Sequence, residues 1–276
     1  MKTNRIENVA REAYRVAKQL EQRRSLYSFA SPQITADDAV LNLLRPQDAQ
    51  TILDVGCGHG ELLLKLRRRY PNARLVGVDR SPDLIRTAKS KASAEGATVE
   101  FYTGDAQCLE FPPHSFDHLL SVHMLYHVPN ILNALKEFAR VLKPSGQVVI
   151  TTNSTKTKPF LKSLVNLVTP LLKPSSLTST TERFSFESGG KLICQWFDRV
   201  ESLEYLSEIR LQEPEPFLDY FDSTKSLWSP EPSQETWKSA MTSVVEAVQK
   251  KMSVDTLLVE PNVFGAFLAT APKQVD

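Results

Sequence analysis

The sequence predicts an α/β fold, a parallel sheet with helices on both faces. Three observations carry this. Between Thr51 and Thr152, short apolar runs rich in Val, Ile and Leu alternate with segments of helical periodicity, joined by short connections. The first of these runs, Thr51-Ile52-Leu53-Asp54-Val55, ends on an acid and then turns through Gly56-Cys57-Gly58-His59-Gly60, with almost no side chains, into a helix over 61–69. A last continuous apolar run, Val263 to Thr270, reads as one more buried strand in or beside the same sheet.

The elements follow in order. Ile6, Val9, Ala13, Val16, Ala17 and Leu20 recur near helical spacing among Arg, Glu and Lys, which predicts an amphipathic helix from Ile6 to Leu26. Asp37 to Leu44 is a second short helix, ended by Pro46. Thr51–Val55 is the first strand and Arg74–Asp79 the second. Ser81-Pro82-Asp83 starts a helix, a capping residue followed by proline at the first helical position. Thr98–Tyr102 is the third strand and Phe116–Val122 the fourth. Ile131 to Leu142 is a helix with Ile131, Leu132, Leu135, Phe138, Val141 and Leu142 as its apolar positions. Lys143-Pro144-Ser145-Gly146 is a turn before a fifth strand over 147–152.

At Thr151 the pattern breaks. Residues 151–181 are rich in Ser, Thr, Lys and Pro, yet enclose an apolar helical piece from Phe160 to Leu172. Length and place after the fifth strand make this insertion a candidate lid; the competing reading is a solvated loop with a small helix. Its cations Lys156, Lys158, Lys162 and Lys173 either face an anionic substrate or form a solvated face. Beyond it, Ser188–Phe197 reads as helix, Val200–Leu206 as strand and Pro214–Tyr220 as the start of a helix. A proline-rich joint over 226–232 precedes a long amphipathic helix from Glu235 to Lys251. The aromatics Phe217, Tyr220, Phe221, Trp228 and Trp237 line a pocket or fill a satellite core.

Composition narrows the partners. The 276 residues are 41% hydrophobic and 24% charged, with a formal net charge of +1, so nothing argues for nucleic acid or an anionic membrane surface. The N-terminal stretch has no apolar core, and no run is long enough to span a membrane, so a cytoplasmic location is expected. Cys57, Cys108 and Cys194 are odd in number and fit no zinc or redox spacing; reduced thiols are expected, and no metal site.

The glycine turn is a place where a ligand lies against bare backbone at a helix start. A dinucleotide site wants G-x-G-x-x-G, but here the spacing is G-x-G-x-G and Glu61 stands where the third glycine would pack helix on strand. No G-x-x-x-x-G-K-[ST] occurs. Asp54 disfavours a phosphate and welcomes an ammonium or a hydroxyl.

Taken together, ILDVGCGHG, VGVDRS, GDAQCLEFPPHSFDHLLSVHMLYHVPN and EFARVLKPSGQVVI resemble the class I S-adenosylmethionine-dependent methyltransferases, in the small-molecule, type 11/25-like group. The resemblance covers Thr51 to Thr152 in detail; FSFESGGKLICQWFDRVESLEYLSEIRLQ and NVFGAFLATAP resemble the family's later helix and strands. It implies a Rossmann-like, seven-stranded, mostly parallel sheet with an antiparallel last strand between the fifth and sixth, plus an N-terminal helical cap and lid insertions. The implied organisation is a cap over 1–45, a cofactor-binding core over 46–153, a lid over 154–187, and the rest of the sheet over 188–276 with a helical insertion at about 207–256.

The resemblance also implies S-adenosyl-L-methionine as cofactor, S-adenosyl-L-homocysteine as product, and a set of site residues. Gly56, Gly58 and Gly60 admit the cofactor to the backbone. Asp54 faces its cationic amino end. Asp79 accepts from both ribose hydroxyls, and Arg80, where the family more often has an apolar residue, lies near the adenine. Asp105 accepts from the adenine amine while the Ala106 amide points at a ring nitrogen. Ser121 and His123 border the methionine end. His127 is the candidate base, with capping of the next helix or packing beside Tyr126 as its competing role. Tyr14, Tyr27 and Tyr126, with Phe29, are substrate or lid candidates.

The implied activity is methyl transfer to an O or N of a small molecule, such as a specialised metabolite. The alternatives are a non-catalytic cofactor-binding partner subunit, or methylation of a peptide or other macromolecule. A nicotinamide oxidoreductase is disfavoured by Glu61, and base amino-methylation by Ser121-Val122-His123-Met124 where N-P-P-Y would stand.

Overall fold

The computed structural model describes residues 22, 23, 25–44, 46, 49–172, 183–228 and 230–273. The helix expected over residues 6–26 and the candidate Tyr14 lie outside this set, apart from a few residues at that helix's end. The described residues fall in two compact units. One unit takes those within Met1–Ile34, Ser154–Arg183 and Tyr205–Val263; the other takes those within Thr35–Asn153, Phe184–Glu204 and Phe264–Asp276. They are called the insert unit and the core unit below.

The core unit bears out the sheet. Its strands are β2 (Thr51–Val55), β3 (Arg74–Asp79), β4 (Glu100–Thr103), β5 (Phe116–Val122) and β6 (Leu142–Asn153), with parts of β7 (Phe197–Leu211) and β8 (Leu258–Pro272). A two-residue strand, β1 (Ala30–Ser31), pairs antiparallel with β7 through Ala30 opposite Ile209. Strand order is β1-β7-β8-β6-β5-β2-β3-β4. The last strand therefore lies between the fifth and sixth expected strands, antiparallel to β6, with Thr151 opposite Ala266. The eighth strand, β1, is an addition to the expected seven.

Side-chain alternation explains why both faces are covered. Leu53, Val55, Val76, Val78, Leu119, Val148 and Ile150 pack in one cluster with Ala134, Leu135 and Phe138 of helix α4 (Ile131–Val141) and Ile193 of helix α6 (Phe186–Ile193). Their neighbours Ile52, Leu75, Leu120 and Val149 pack in another cluster. It includes helices α1 (Ala36–Leu43), α2 (Glu61–Arg69) and α3 (Pro82–Ala94). A fully buried Phe or Leu such as Phe138 or Leu63 contributes about 1.5–3 kcal/mol through burial.

Local signals account for most boundaries. Ser81 Oγ accepts from the Leu84 amide and Pro82 opens α3, as expected. Thr35 caps α1 in a reciprocal box with Asp38. Three boundaries differ from expectation. Helix α6 begins at Phe186 because Ser185, not Ser188, is the cap, and Ser188 completes its capping box. The turn at Lys143–Gly146 is a bulge inside β6, opposite Asp117, where the register jumps from Phe116–Leu142 to His118–Gln147. Strand β7 runs fifteen residues, well beyond the expected Val200–Leu206.

The insert unit holds helices α5 (Pro159–Leu172), α7 (Glu215–Asp222) and α8 (Gln234–Val254) around one apolar core. Helix α5 packs on α8, and Phe217, Phe221, Trp228 and Trp237 are buried there, so these aromatics fill a core. Among the described residues, no helix is long and apolar enough to cross a membrane.

Candidate active site

Parallel register brings the carboxyl ends of four strands of the core unit to one edge. Val55 is opposite Val78, Asp79 opposite Thr103, and Asp54 opposite Leu120. Asp54, Asp79, Ser121 and the Gly104–Ala106 turn therefore stand together. This is the edge where open α/β sheets bind ligands. The Gly104 amide donates to the Asp79 carbonyl at 3.0 Å and locks the third and second expected strands together beyond their ends.

Read from spacing, the three glycines share one role; in the fold they divide. All three take left-handed backbone, with φ of +79°, +56° and +79° at Gly56, Gly58 and Gly60. A Cβ on Gly56 would meet the Met124 side chain at 2.8 Å, and one on Gly60 would meet the Phe101 ring at 2.8 Å. Those two glycines make room for the protein itself. Only Gly58 has nothing within 4 Å of that point, so it alone presents bare backbone to open space. Filling the space over Gly56 and Gly60 is a role that the sequence did not assign to Met124 or Phe101.

Gly58 is also tied to Asp79. Its amide donates to one Asp79 carboxylate oxygen at 2.9 Å, and the Ser81 amide donates to the other at 2.8 Å. A carboxylate has about four lone-pair sites, so the two amides orient the group and leave acceptor capacity for a diol. Burial raises the pKa of Asp79, and the amides of Ser81, Gly58 and Arg80 pull against that. Arg80 follows, half-buried.

Asp54 is 2% exposed, and its Oδ1 has no hydrogen-bond partner among the described residues. Burial, then the charges of Asp37 and Asp79, hold its carboxyl well above the usual carboxylate range. The same burial, with Asp54 and Asp79, pushes the Cys57 thiol up. Ser121 Oγ is likewise buried with no partner among the described residues. Because Asp54 pairs with Leu120, Ser121 points to the opposite face of the sheet. Each face thus offers one orphan polar atom at the rim.

Asp105 is engaged. Its Oδ1 accepts from the Gln107 amide at 2.9 Å and the Gln107 side-chain nitrogen at 3.0 Å. Gln107 Oε1 in turn accepts from the Asn130 amide at 3.0 Å, joining this turn to the start of α4. Gln107 was not singled out from sequence; an acid bonding the amide two residues on is the signal that would have marked it. Ala106 is buried beside it.

His123 sits at φ +50°, its amide donating to the Thr151 carbonyl at 3.1 Å. Its ring centroid lies 5.9 Å from Phe264 and 6.4 Å from Tyr126. The His127 ring packs edge-on against Tyr126 at 4.6 Å. Asn130, not His127, caps α4, accepting from the Asn133 amide at 3.2 Å. Tyr126 is buried among these rings. Tyr27 belongs to the insert unit, where it is partly buried against that unit's apolar core. Phe29 is exposed. Among the described residues, no group of three or more His, Cys, Asp or Glu is placed to hold a metal.

This donor set fits S-adenosylmethionine. The open face of Gly58 admits an atom against backbone, the orphan Asp54 oxygen suits an ammonium, and the anchored Asp79 carboxylate suits a ribose.

Comparison with known proteins agrees. Residues 52–146 match the family model for a methyltransferase domain. A demethylmenaquinone methyltransferase of Staphylococcus aureus (strain JH9) is 31% identical over 169 residues, covering 61% of this chain and 69% of that protein. A ubiquinone/menaquinone biosynthesis C-methyltransferase of Dinoroseobacter shibae is 30% identical over 153 residues, 54% of this chain. The chain spans only 61% of that second relative's length. In structure, a putative methyltransferase from an antibiotic biosynthesis pathway of Anabaena variabilis aligns over 85% of this chain and 96% of its own, with a TM-score of 0.61 at 19% identity, a likeness of fold. With an ordered set of strand-end residues, a matching sheet and a relative covered over more than two thirds of its length, the chain belongs to the class I S-adenosylmethionine-dependent methyltransferases.

Proposed function

We propose that this protein transfers the methyl group of S-adenosylmethionine to a small molecule, with the cofactor held at the carboxyl edge of β2–β5. The observation that carries the reading is the Gly58–Asp79 pair, an open backbone position whose amide orients a carboxylate with capacity to spare. When bound, the cofactor supplies a methyl carbon already activated by a sulfonium. The chain's own work is to bind and orient. Asp79 and Gly58 hold the ribose, Asp54 meets the amino end, and Asp105 with Ala106 receives the adenine, with Arg80 at its side. Gln107 holds the Asp105 carboxylate in place. Ser121 and His123 border the methionine end, and His127 takes the proton that the acceptor loses.

Oxygen and nitrogen are the acceptor atoms expected from the sequence. A second reading, transfer to carbon, is favoured by the relatives: one is named a C-methyltransferase of ubiquinone and menaquinone biosynthesis, the other a demethylmenaquinone methyltransferase. For a ring carbon made nucleophilic by an adjacent hydroxyl, His127 would take that hydroxyl's proton.

Calorimetric titration with S-adenosylhomocysteine tests the reading. Asp79→Ala is expected to weaken binding by at least about tenfold, or 1.4 kcal/mol. Unchanged affinity in that variant, or no binding by the native protein, overturns it.

A further inference from the structure

Asp54 occupies an unusual place for an acid, the fourth residue of the five-residue strand β2. Its neighbours across the sheet are Gly77 on β3 and Leu120 on β5, and neither brings a side-chain donor. Alternation puts it on the same face as Ile52, toward the apolar cluster that includes α1, α2 and α3. It is all but fully buried, and among the described residues no hydrogen bond reaches its Oδ1. A buried carboxylate is ordinarily paired with a cation or held by several donors. Asp79, one strand away, shows that alternative, with an amide on each of its two oxygens.

The charges that act on Asp54 have its own sign. Burial is the larger cause disfavouring its ionised form; Asp37 on α1 and Asp79 on β3 add to it. Cys57, in the turn that follows β2, is a buried thiol that the same influences keep protonated. The other titratable groups at this end of the packed elements are engaged elsewhere. Asp38 caps α1 with Thr35, Lys65 of α2 bonds Asp37 at 2.7 Å, and Asp83 of α3 pairs with Arg86. Glu61 takes Lys91 at 3.1 Å, with the His59 ring 3.8 Å away. Arg80 and His123, which follow β3 and β5, are not among the charges acting on Asp54. Two like charges and a dry setting favour the neutral acid.

An ammonium reverses this balance. It brings the positive charge and the N–H donors that the orphan oxygen lacks, and a charge-assisted pair is stronger than any contact open to the neutral acid.

We infer that Asp54 is a carboxylic acid in the free protein and gives up its proton to solvent when S-adenosylmethionine or its product is bound, standing as a carboxylate against the ammonium. The O–H bond of Asp54 breaks, the ammonium keeps its own protons, and one proton leaves per site. This rests on the cofactor reading proposed above and adds to it a dependence on pH. Because the complex holds one proton fewer than its parts, affinity rises with pH, by up to about tenfold per unit, until Asp54 ionises in the free protein as well. A ligand without an amino end leaves the acid protonated.

The test is calorimetry on the full chain with S-adenosylhomocysteine and with 5′-methylthioadenosine, which keeps the adenine, ribose and thioether but has no amino end. At about pH 6, in two buffers of different ionisation enthalpy, the native protein is expected to release close to one proton more per S-adenosylhomocysteine bound than Asp54→Asn. From about pH 5 to about pH 7, its affinity relative to that variant is expected to rise roughly fivefold to tenfold per unit. His59, His123 and His127 are common to both proteins, so the difference belongs to residue 54. With 5′-methylthioadenosine the two proteins are expected to give the same proton count. Where Asp54→Asn fails to fold, the infrared difference spectrum of the native protein carries the test: S-adenosylhomocysteine is expected to remove a protonated-carboxyl stretch and add a carboxylate one. Equal proton release by native protein and variant, the same extra proton with 5′-methylthioadenosine, or no loss of that stretch overturns the inference and leaves the cofactor reading standing. No binding of S-adenosylhomocysteine by the native protein overturns both, so the two failures are told apart.

Discussion

At the scale of single residues, the site is built from groups that the fold holds at a cost. Asp54 is the sharpest case, a buried carboxyl with one oxygen unpartnered and two other acids acting on it. Its folded pKa is raised by burial first and by Asp37 and Asp79 next, while an unfolded aspartate titrates near about 3.9. Below that value the carboxyl is protonated in both states and costs nothing. As pH rises toward the folded pKa, only the unfolded chain ionises, so the native protein loses stability. Asp54→Asn removes this loss. Urea unfolding is expected to show the variant gaining on the native protein by about 1–2 kcal/mol between pH 4 and pH 8. A gap that stays constant over that range would show that burial does not raise the pKa of Asp54 in the folded protein. The acid itself was legible in the sequence, as the last polar residue of an apolar strand before three glycines. The division of labour among those glycines was not, because Met124 and Phe101, which fill the space over Gly56 and Gly60, lie far along the chain.

At the scale of elements, sequence patterns located strands and helices well where a local signal existed. Ser81-Pro82 marks the start of α3 by itself, and the run of residues 51–55 needs no partner to read as a strand. The signal was ambiguous where two serines compete for one cap, as at Ser185 and Ser188, and weak where a strand is exposed. Most of β7 from Asp198 to Leu206 faces solvent, so no apolar alternation announced its length. Contacts between elements were not legible at all, and Gly265 shows why. A Cβ built there on β8 would lie inside the ring of Phe186, the first residue of α6, far closer than van der Waals contact. Phe186 in turn lies against Phe267, with centroids 5.3 Å apart. Gly265→Ala is therefore expected to cost about 1–3 kcal/mol by overpacking. Phe186→Leu in the same chain should recover part of it, so that the double variant is less destabilised than the sum of the singles. Additive losses in urea unfolding would mean that Phe186 does not hold the place of that side chain.

At the scale of the whole molecule, the family and the cofactor end were legible because they lie in one continuous stretch. The insert unit was not, because it is assembled from three separated pieces whose residues meet only in the fold: Tyr27, Lys158 and Tyr220 come from one piece each. Two of the chain's crossings between the units fall inside strands: in β7, between Glu204 and Tyr205, and in β8, between Val263 and Phe264. A strand hydrogen-bonded along its length cannot release one half without fraying the other, so the two units are expected to unfold as one cooperative system. The three tryptophans allow this to be read unit by unit, since Trp196 belongs to the core unit and Trp228 and Trp237 to the insert unit. Trp196→Phe leaves fluorescence from the insert unit alone, and Trp228→Phe with Trp237→Phe leaves it from the core unit alone. S-adenosylhomocysteine at about one hundred times its dissociation constant stabilises the native state by about 2.7 kcal/mol. At roughly 2–4 °C per kcal/mol for a chain of this size, that is a rise in Tm of about 5–11 °C. Although the ligand is placed in the core unit, both reporters should rise together and by the same amount. A rise confined to Trp196 would show instead that β7 and β8 yield at the boundary and that the insert unit melts by itself.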